Sequence, residues 1–252
     1  MRIREGEILK VDLHLHSSED SRDRVRHDAF ELLEEAHSHG LDVISITNHD
    51  TVTFSHELRT YAEGLGILLI PGIELTVEGC HVLVVGELER LHSITRLDDL
   101  YASKGNGTLI IAPHPFFPIS SGLGKKIYRH IELFDAIEFC HCYYRLLNFN
   151  NPALELARVI GLPLVAFSDS HVLWQLGSSY SLVRARKSVQ DVLNAIRSGE
   201  IEIVVKPMNI SRTLRTAWWI LSSKVLSLAV KREKKPRFNW GIVRPTNSDA
   251  RK

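Results

Sequence analysis

The chain has 252 residues, 44% of them hydrophobic and 24% charged, with a formal net charge of +1. That composition excludes whole-chain disorder, collagen-like repeats and a disulfide scaffold, and the length suits one large α/β domain or two small ones. Cys80, Cys140 and Cys142 form neither an even-numbered framework nor a C-x-x-C pair, which points to a reducing, cytoplasmic setting. Neither a signal-peptide core nor an apolar stretch of membrane-spanning length is expected.

In chain order, apolar β-branched runs predict strands over 8–13, 42–46, 67–71, 80–86, 107–112, 134–139, 163–167, 179–184 and 200–205. Between them, 28–39, 54–64, 151–160 and 188–198 carry helical spacing. Gly40, Gly64, Gly161 and Gly199 stand at their ends, where a left-handed cap residue belongs. Repeated β-then-α order predicts a mainly parallel sheet or barrel. The run 212–230 reads as one helix with a narrow polar stripe of Arg212, Arg215, Thr216 and Ser223, followed by a polar tail. Residues 211–252 hold eleven Lys and Arg against two acids, whereas 1–210 hold 20 basic and 28 acidic residues. The chain therefore divides into an acidic body, 1–210, and a basic appendage, 211–252. The appendage serves either as a solvated terminus or as a contact for nucleic acid.

The histidines matter by position. The first strand ends in Asp12-Leu13-His14-Leu15-His16, and residues two apart on a strand face one way. The second ends in Thr47-Asn48-His49-Asp50, the third in Gly72-Ile73-Glu74, and the next strand opens with His81. Later strands run into His114-Pro115 and into Ser168-Asp169-Ser170-His171. In a parallel α/β protein the C-terminal strand ends share one face, where sites are built. Five strand ends each delivering a histidine or an acid predict a metal site there. Imidazole and carboxylate without thiolate suit Zn²⁺, Mn²⁺ or Fe²⁺, and the number of donors suits two or three ions. Such a cluster generates a metal-held hydroxide and clamps a phosphoryl or acyl oxygen, so the chemistry expected is hydrolysis.

The ordered set Asp12-x-His14-x-His16, Thr47-x-His49-Asp50, Gly72-Ile73-Glu74, His81, Ala112-x-His114-Pro115 and Ser168-Asp169-x-His171 resembles the PHP (polymerase and histidinol phosphatase) superfamily over residues 10–205. The resemblance implies a distorted (β/α)7 barrel with a trinuclear centre, and with it a stand-alone metal-dependent phosphoesterase. By position, His14, His16, Glu74 and Asp169 would hold a first ion, and Glu74 would bridge to a second held by His81 and His114. His49, His171 and an acid from loop 17–27 would hold a third. Asp23 fits the longer family spacing and Asp20 the shorter, with Asp23 preferred. The chain departs from the common pattern at Asn48, where many members carry Asp, and in the Pro113 that precedes His114.

Under this reading Glu74 bridges the ions, and Asp50 or His171 assists proton transfer. Asn48, Arg22 and His141 are weaker substrate-contacting candidates. Cys140 and Cys142, alternating in direction from His141, are expected to pack as small apolar groups. His27, His37, His39, His56, His92 and His130 are expected to be solvated. The substrate class implied is phosphomonoesters, including 3′,5′-bisphosphate nucleotides and 5′-phosphorylated oligonucleotides, attacked by a metal-bridging hydroxide. The alternatives are hydrolysis of a non-phosphate bond such as an amide, and a nucleic-acid-associated binding role carried by 211–252.

Overall fold

A computed structural model describes residues 6–91, 94–144 and 148–207. The expected helix at 212–230, the basic segment 211–252, the domain boundary at 210 and His92 lie outside the described residues. Among the described residues there are ten strands: β1 Glu7–Leu15, β2 Val43–Ile46, β3 Leu68–Leu69, β4 Gly72–Val77, β5 Cys80–Gly86, β6 Thr108–Ala112, β7 Ala136–Phe139, β8 Leu164–Ala166, β9 Ser179–Ala185 and β10 Ile201–Val205. The helices are α1 Ala29–Ser38, α2 His56–Gly64, α3 Leu97–Ala102, α4 Asn151–Ile160 and α5 Val189–Arg197.

The helices form where local chemistry starts them. Asp28 caps α1 by accepting from the Phe30 and Glu31 amides, and Glu31 returns to the Asp28 amide, so two orphan donors are satisfied reciprocally. Ala29, Leu32, Leu33 and Ala36 then form one buried stripe against β1 and β2. Ser188 caps α5, whose Val192, Leu193, Ala195 and Ile196 are buried. At the end of α2 the left-handed residue is Gly66, not Gly64, because the helix runs through Gly64 and turns two residues later.

The strands form two five-stranded mixed sheets, ordered β10-β9-β1-β2-β3 and β4-β5-β6-β7-β8. The α/β class is as expected, but the sheets are not mainly parallel, and among the described residues no closed barrel forms. The reason is local. Glu78 and Gly79, both left-handed with φ of 51° and 78°, make a two-residue hairpin turn between β5, expected at 80–86, and β4, a strand not expected between 67–71 and 80–86. β9 likewise runs antiparallel to both β1 and β10. The two sheets share a core of Leu9, Val11, Leu13, Leu83, Ile111 and Phe167. They are joined by backbone bridges from Leu15 to Ser170 and from His49 to Glu74.

Two irregularities position the site. Val11, Asp12 and Leu15 pair with Val43, Ile44 and Ile46, so β1 carries one extra residue between Asp12 and Leu15. This bulge lets Leu13 face the shared core while Leu15 packs under α1 and α2. At the other seam, a Cβ on Gly72 would collide with the Ser45 hydroxyl and press on Thr47. The close approach of β4 to the end of β2 therefore needs glycine. Gly72→Ala is expected to destabilise the fold by about 1–3 kcal/mol, read as a lower midpoint in urea unfolding; an unchanged midpoint would show that the seam is slack.

Candidate metal centre

The two seams and the strand ends around them carry the predicted residues. His14 and His16 leave the bulged end of β1, His49 follows β2, His114 follows β6, and Asp169 and His171 follow β8. Glu74 differs from expectation: it is the third residue of β4 rather than the end of a preceding strand. Thr76 pairs with His81 across the β4–β5 hairpin, so Glu74 and His81 lie on one face. Asp50, His114 and Asp169 have φ of 49°, 29° and 45°, left-handed values for non-glycine residues. Such strained backbone collects at functional sites.

Glu74 is the hub. Its Oε2 lies 3.3 Å from His14 Nε2, 3.4 Å from His16 Nε2 and 3.1 Å from His49 Nε2. Its Oε1 lies 2.8 Å from His81 Nδ1 and 3.4 Å from His114 Nε2. Asp169 Oδ1 faces the same imidazoles, 3.4 Å from His14 Nε2 and 3.3 Å from His16 Nε2. His171 stacks on His16 with ring centroids 4.2 Å apart, and His49 stacks on His16 at 4.6 Å.

A second rank of carboxylates stands behind these donors. Asp20 Oδ2 lies 3.0 Å from His16 Nδ1 and 2.9 Å from His49 Nδ1, and its Oδ1 accepts the Arg22 and Asp23 amides. Asp23 Oδ2 instead faces His171 Nε2 at 3.0 Å. The two loop acids thus do different things: Asp20 holds two rings from behind, and Asp23 meets a third from the front. Glu138, which lies outside the expected donor set, is buried within β7. Its Oε1 lies 3.0 Å from His14 Nδ1, and its Oε2 accepts the His114 amide at 3.0 Å. The available signal was an acid inside the apolar run Ala136-Ile137-Glu138-Phe139. Because an ionised carboxylate only accepts, these contacts fix protons at Nδ1 of His14, His16 and His49 and turn each Nε2 inward.

The remaining candidates are placed as follows. Asn48 is fully buried; its Oδ1 accepts the Ser17 amide and its Nδ2 donates to Ser17 Oγ and Thr53 Oγ1, so its amide ties loops together. Arg22 pairs with Asp50 Oδ2 at 2.5 Å, and Asp50 Oδ1 accepts the Thr76 amide. His141 stands at the end of β7 beside Cys142. His27 is not solvated: it is buried, with Nε2 bonded to the His16 carbonyl, and burial pushes its pKa down.

The electrostatics follow from packing acids against imidazoles without water. Burial alone would push the Glu74 and Asp169 carboxyls up, yet the surrounding histidines hold both well below the usual carboxylate range. Burial works against charge on His14, His16 and His114 as well, but the carboxylates prevail and raise all three. Asp12, behind the bulge, is pushed up to about 7 by burial despite hydrogen bonds from Ser168 and His14. The donor set fits divalent cations. His14 Nε2, His16 Nε2 and Glu74 Oε1 are buried without a hydrogen bond of acceptable geometry, which is costly unless something else binds them. His14, Glu74 and His114, then His14, His16 and Asp169, then His49, Glu74 and His81, and then His16, His49 and His171 each converge closely enough for one ion.

The PHP-associated family description matches residues 148–201, the stretch that carries Asp169 and His171. A two-domain protein of Bacteroides vulgatus containing a PHP-like metal-dependent phosphoesterase superposes with a TM-score of 0.62 at 22% identity, covering 81% of this chain and 69% of that one. The fold is thus similar to that of a PHP-like protein, and residues 148–201 match the PHP-associated family. The chain is also 28% identical over 172 residues to the protein MJ1587 of Methanocaldococcus jannaschii, a match that covers 63% of this chain and 96% of that protein. The lesion-specific endonuclease PfuEndoQ of Pyrococcus furiosus shares the fold with a TM-score of 0.55 at 16% identity, over 78% of this chain and 58% of that one.

Two expectations follow. Replacing Glu138 with Ala should weaken divalent-metal affinity by roughly 10- to 100-fold, with Gln costing less because its carbonyl still accepts one of the two donors; equal affinity in calorimetric titrations would show the contact to be idle. The carboxylates favour the protonated forms of His14, His16 and His114 in the metal-free protein, and a metal competes with those protons. Affinity should therefore fall as pH drops, and the binding enthalpy should vary with the ionisation enthalpy of the buffer.

Proposed function

We propose that the protein is a metal-dependent phosphoesterase acting on phosphomonoesters, with nucleotides such as 3′,5′-bisphosphates and 5′-phosphorylated oligonucleotides as the substrates to try first. The observation that carries this reading is Glu74, a buried carboxylate with five imidazole nitrogens within 3.4 Å of its two oxygens. In the proposed assignment His14, His16, Glu74 and Asp169 hold one ion, Glu74, His81 and His114 a second, and Asp23, His49 and His171 a third. The position of Asp23 in front of His171, and of Asp20 behind two rings, supports Asp23 as the ligand. Mn²⁺, Zn²⁺ and Fe²⁺ all suit the donor set. When bound, such ions supply Lewis acidity toward a phosphoryl oxygen and lower the pKa of water.

The chain's own residues do the rest. Glu74 presents one oxygen to each half of the centre. Asp20 and Glu138 hold the outer nitrogens of His14, His16 and His49 and so turn the inner ones toward the centre. Asp50, steered by Arg22 and the Thr76 amide, is the proposed proton carrier for the leaving oxygen; His171, facing Asp23, takes that role when it holds no ion. The distorted (β/α)7 barrel implied by the resemblance would take the Leu15–Ser170 and His49–Glu74 bridges as its seams. The oligonucleotide option is supported by the fold shared with a lesion-specific endonuclease and by the excess of Lys and Arg in 211–252, which we propose as the nucleic-acid contact. A cytoplasmic setting agrees with three free cysteines, and no described helix is long and apolar enough to cross a membrane.

Phosphate release with Mn²⁺ from a panel of phosphomonoesters and nucleotide bisphosphates tests the reading. Glu74→Gln should lower turnover on the order of 100-fold or more while circular dichroism stays unchanged. Full turnover by the variant would remove Glu74 from its bridging role, and no release by metal-loaded wild type would remove phosphate esters as the substrate class.

A further inference from the structure

β7 ends at Phe139, and the chain then leaves the strand through Cys140, His141 and Cys142. Strand alternation would point the two thiols away from the imidazole, where they would pack as apolar groups. The structure shows otherwise. The Tyr143 amide bonds back to the His141 carbonyl in a tight turn, and the alternation is lost. Cys142 Sγ comes to lie 3.0 Å from His141 Nε2, and the donor atoms of all three residues fall within 4.8 Å of one another. Asn150 holds the start of this turn: its Oδ1 accepts the Cys140 amide at 2.7 Å, and its Nδ2 donates to the Cys140 carbonyl at 3.0 Å. Asn150 and Cys140 are both buried, so one end of the cluster is rigid, while His141 and Cys142 are half-buried and open to an entering ion.

We propose that Cys140, His141 and Cys142 form a thiolate-bearing Zn²⁺ site, distinct from the histidine–carboxylate centre. Three arguments carry it. The donors are soft where those of the centre are hard or borderline, and thiolate with imidazole selects zinc over manganese or magnesium. The three residues belong to none of the donor groups around Glu74. A nucleophilic Cys–His pair would need one thiol, and here a second thiol shares the same point. The Cys142 thiol, hydrogen-bonded by Cys140 and facing His141, is lowered to about 5, whereas Cys140 is pushed well up. Two thiolates and one imidazole leave the fourth tetrahedral position for water or an exogenous oxygen ligand. Asp169 adds negative potential that favours a cation at His141 and Cys142.

Cobalt substitution of the full-length protein reads this site without reference to turnover, because thiolate ligands give intense sulfur-to-cobalt absorption in the near ultraviolet that imidazole and carboxylate do not. Wild type loaded with Co²⁺ should show the band. Cys140→Ser with Cys142→Ser should lose it, together with one equivalent of bound zinc, and keep the weaker visible absorption of the histidine–carboxylate centre. Zn²⁺ should also protect Cys142 from alkylation in wild type and equally in Glu74→Gln, as read by mass spectrometry of the labelled peptide. No band in wild type, or a band that survives the double substitution, overturns the proposal. Protection lost in a folded Glu74→Gln also overturns it, by assigning the thiolates to the main centre; if that variant unfolds, the zinc equivalents lost by the double serine variant decide.

Discussion

The structure is organised around the need to keep a buried carboxylate charged. Glu74 sits inside β4, 1% exposed, and its charge is tolerable only because five imidazoles surround it. Those imidazoles are themselves buried and must be aimed. Asp20 and Glu138 do the aiming, each serving two donors, so the inner arrangement is held by an outer one of the same chemistry. A site built this way is compact and coupled: moving one outer carboxylate disturbs two inner ligands.

The backbone carries the cost of this aiming. Asp50, His114 and Asp169 all adopt left-handed conformations just after β2, β6 and β8. Each such residue costs on the order of 1–3 kcal/mol. Specific bonds hold two of them in place: the Asp50 amide donates to the Glu74 carbonyl, and the His114 amide donates to Glu138. The strain is offset by the core beneath, where Leu13, Leu83, Ile111, Val165 and Phe167 are fully buried. The rigid body of the fold thus supports an irregular rim.

The site was far more legible in the sequence than the sheet topology. His14, His16, His49, Glu74, His81, His114, Asp169 and His171 announce themselves because histidine and acid at the edge of an apolar run have few structural uses. β4 is not legible because Gly72, Glu74 and Thr76 break its apolar pattern, so Glu74 reads as the end of the strand at 67–71 rather than as the middle of the next one. Glu138 was missed because a single acid in a short strand looks like ordinary alternation; only its contacts with His14 and the His114 amide reveal its use. Cys140 and Cys142 were misjudged for a related reason, since alternation ceases where the strand stops. Direction beyond a strand end depends on hydrogen bonds, such as those from Asn150, that periodicity does not encode.

The placement of β1 between β2 and β9 has a consequence for synthesis on the ribosome. β2 emerges soon after β1, but the partner for the other edge of β1, residues 181–185 opposite 7–11, arrives almost a whole domain later. Until then Leu9 and Val11 flank an unpaired edge, the kind of template on which nascent chains misassociate. Lys10, which bonds the His39 carbonyl and lies over Tyr180, places a charge in the middle of that edge. A charged side chain on an unpaired strand edge disfavours pairing with other chains, and Lys10 supplies that charge at this edge.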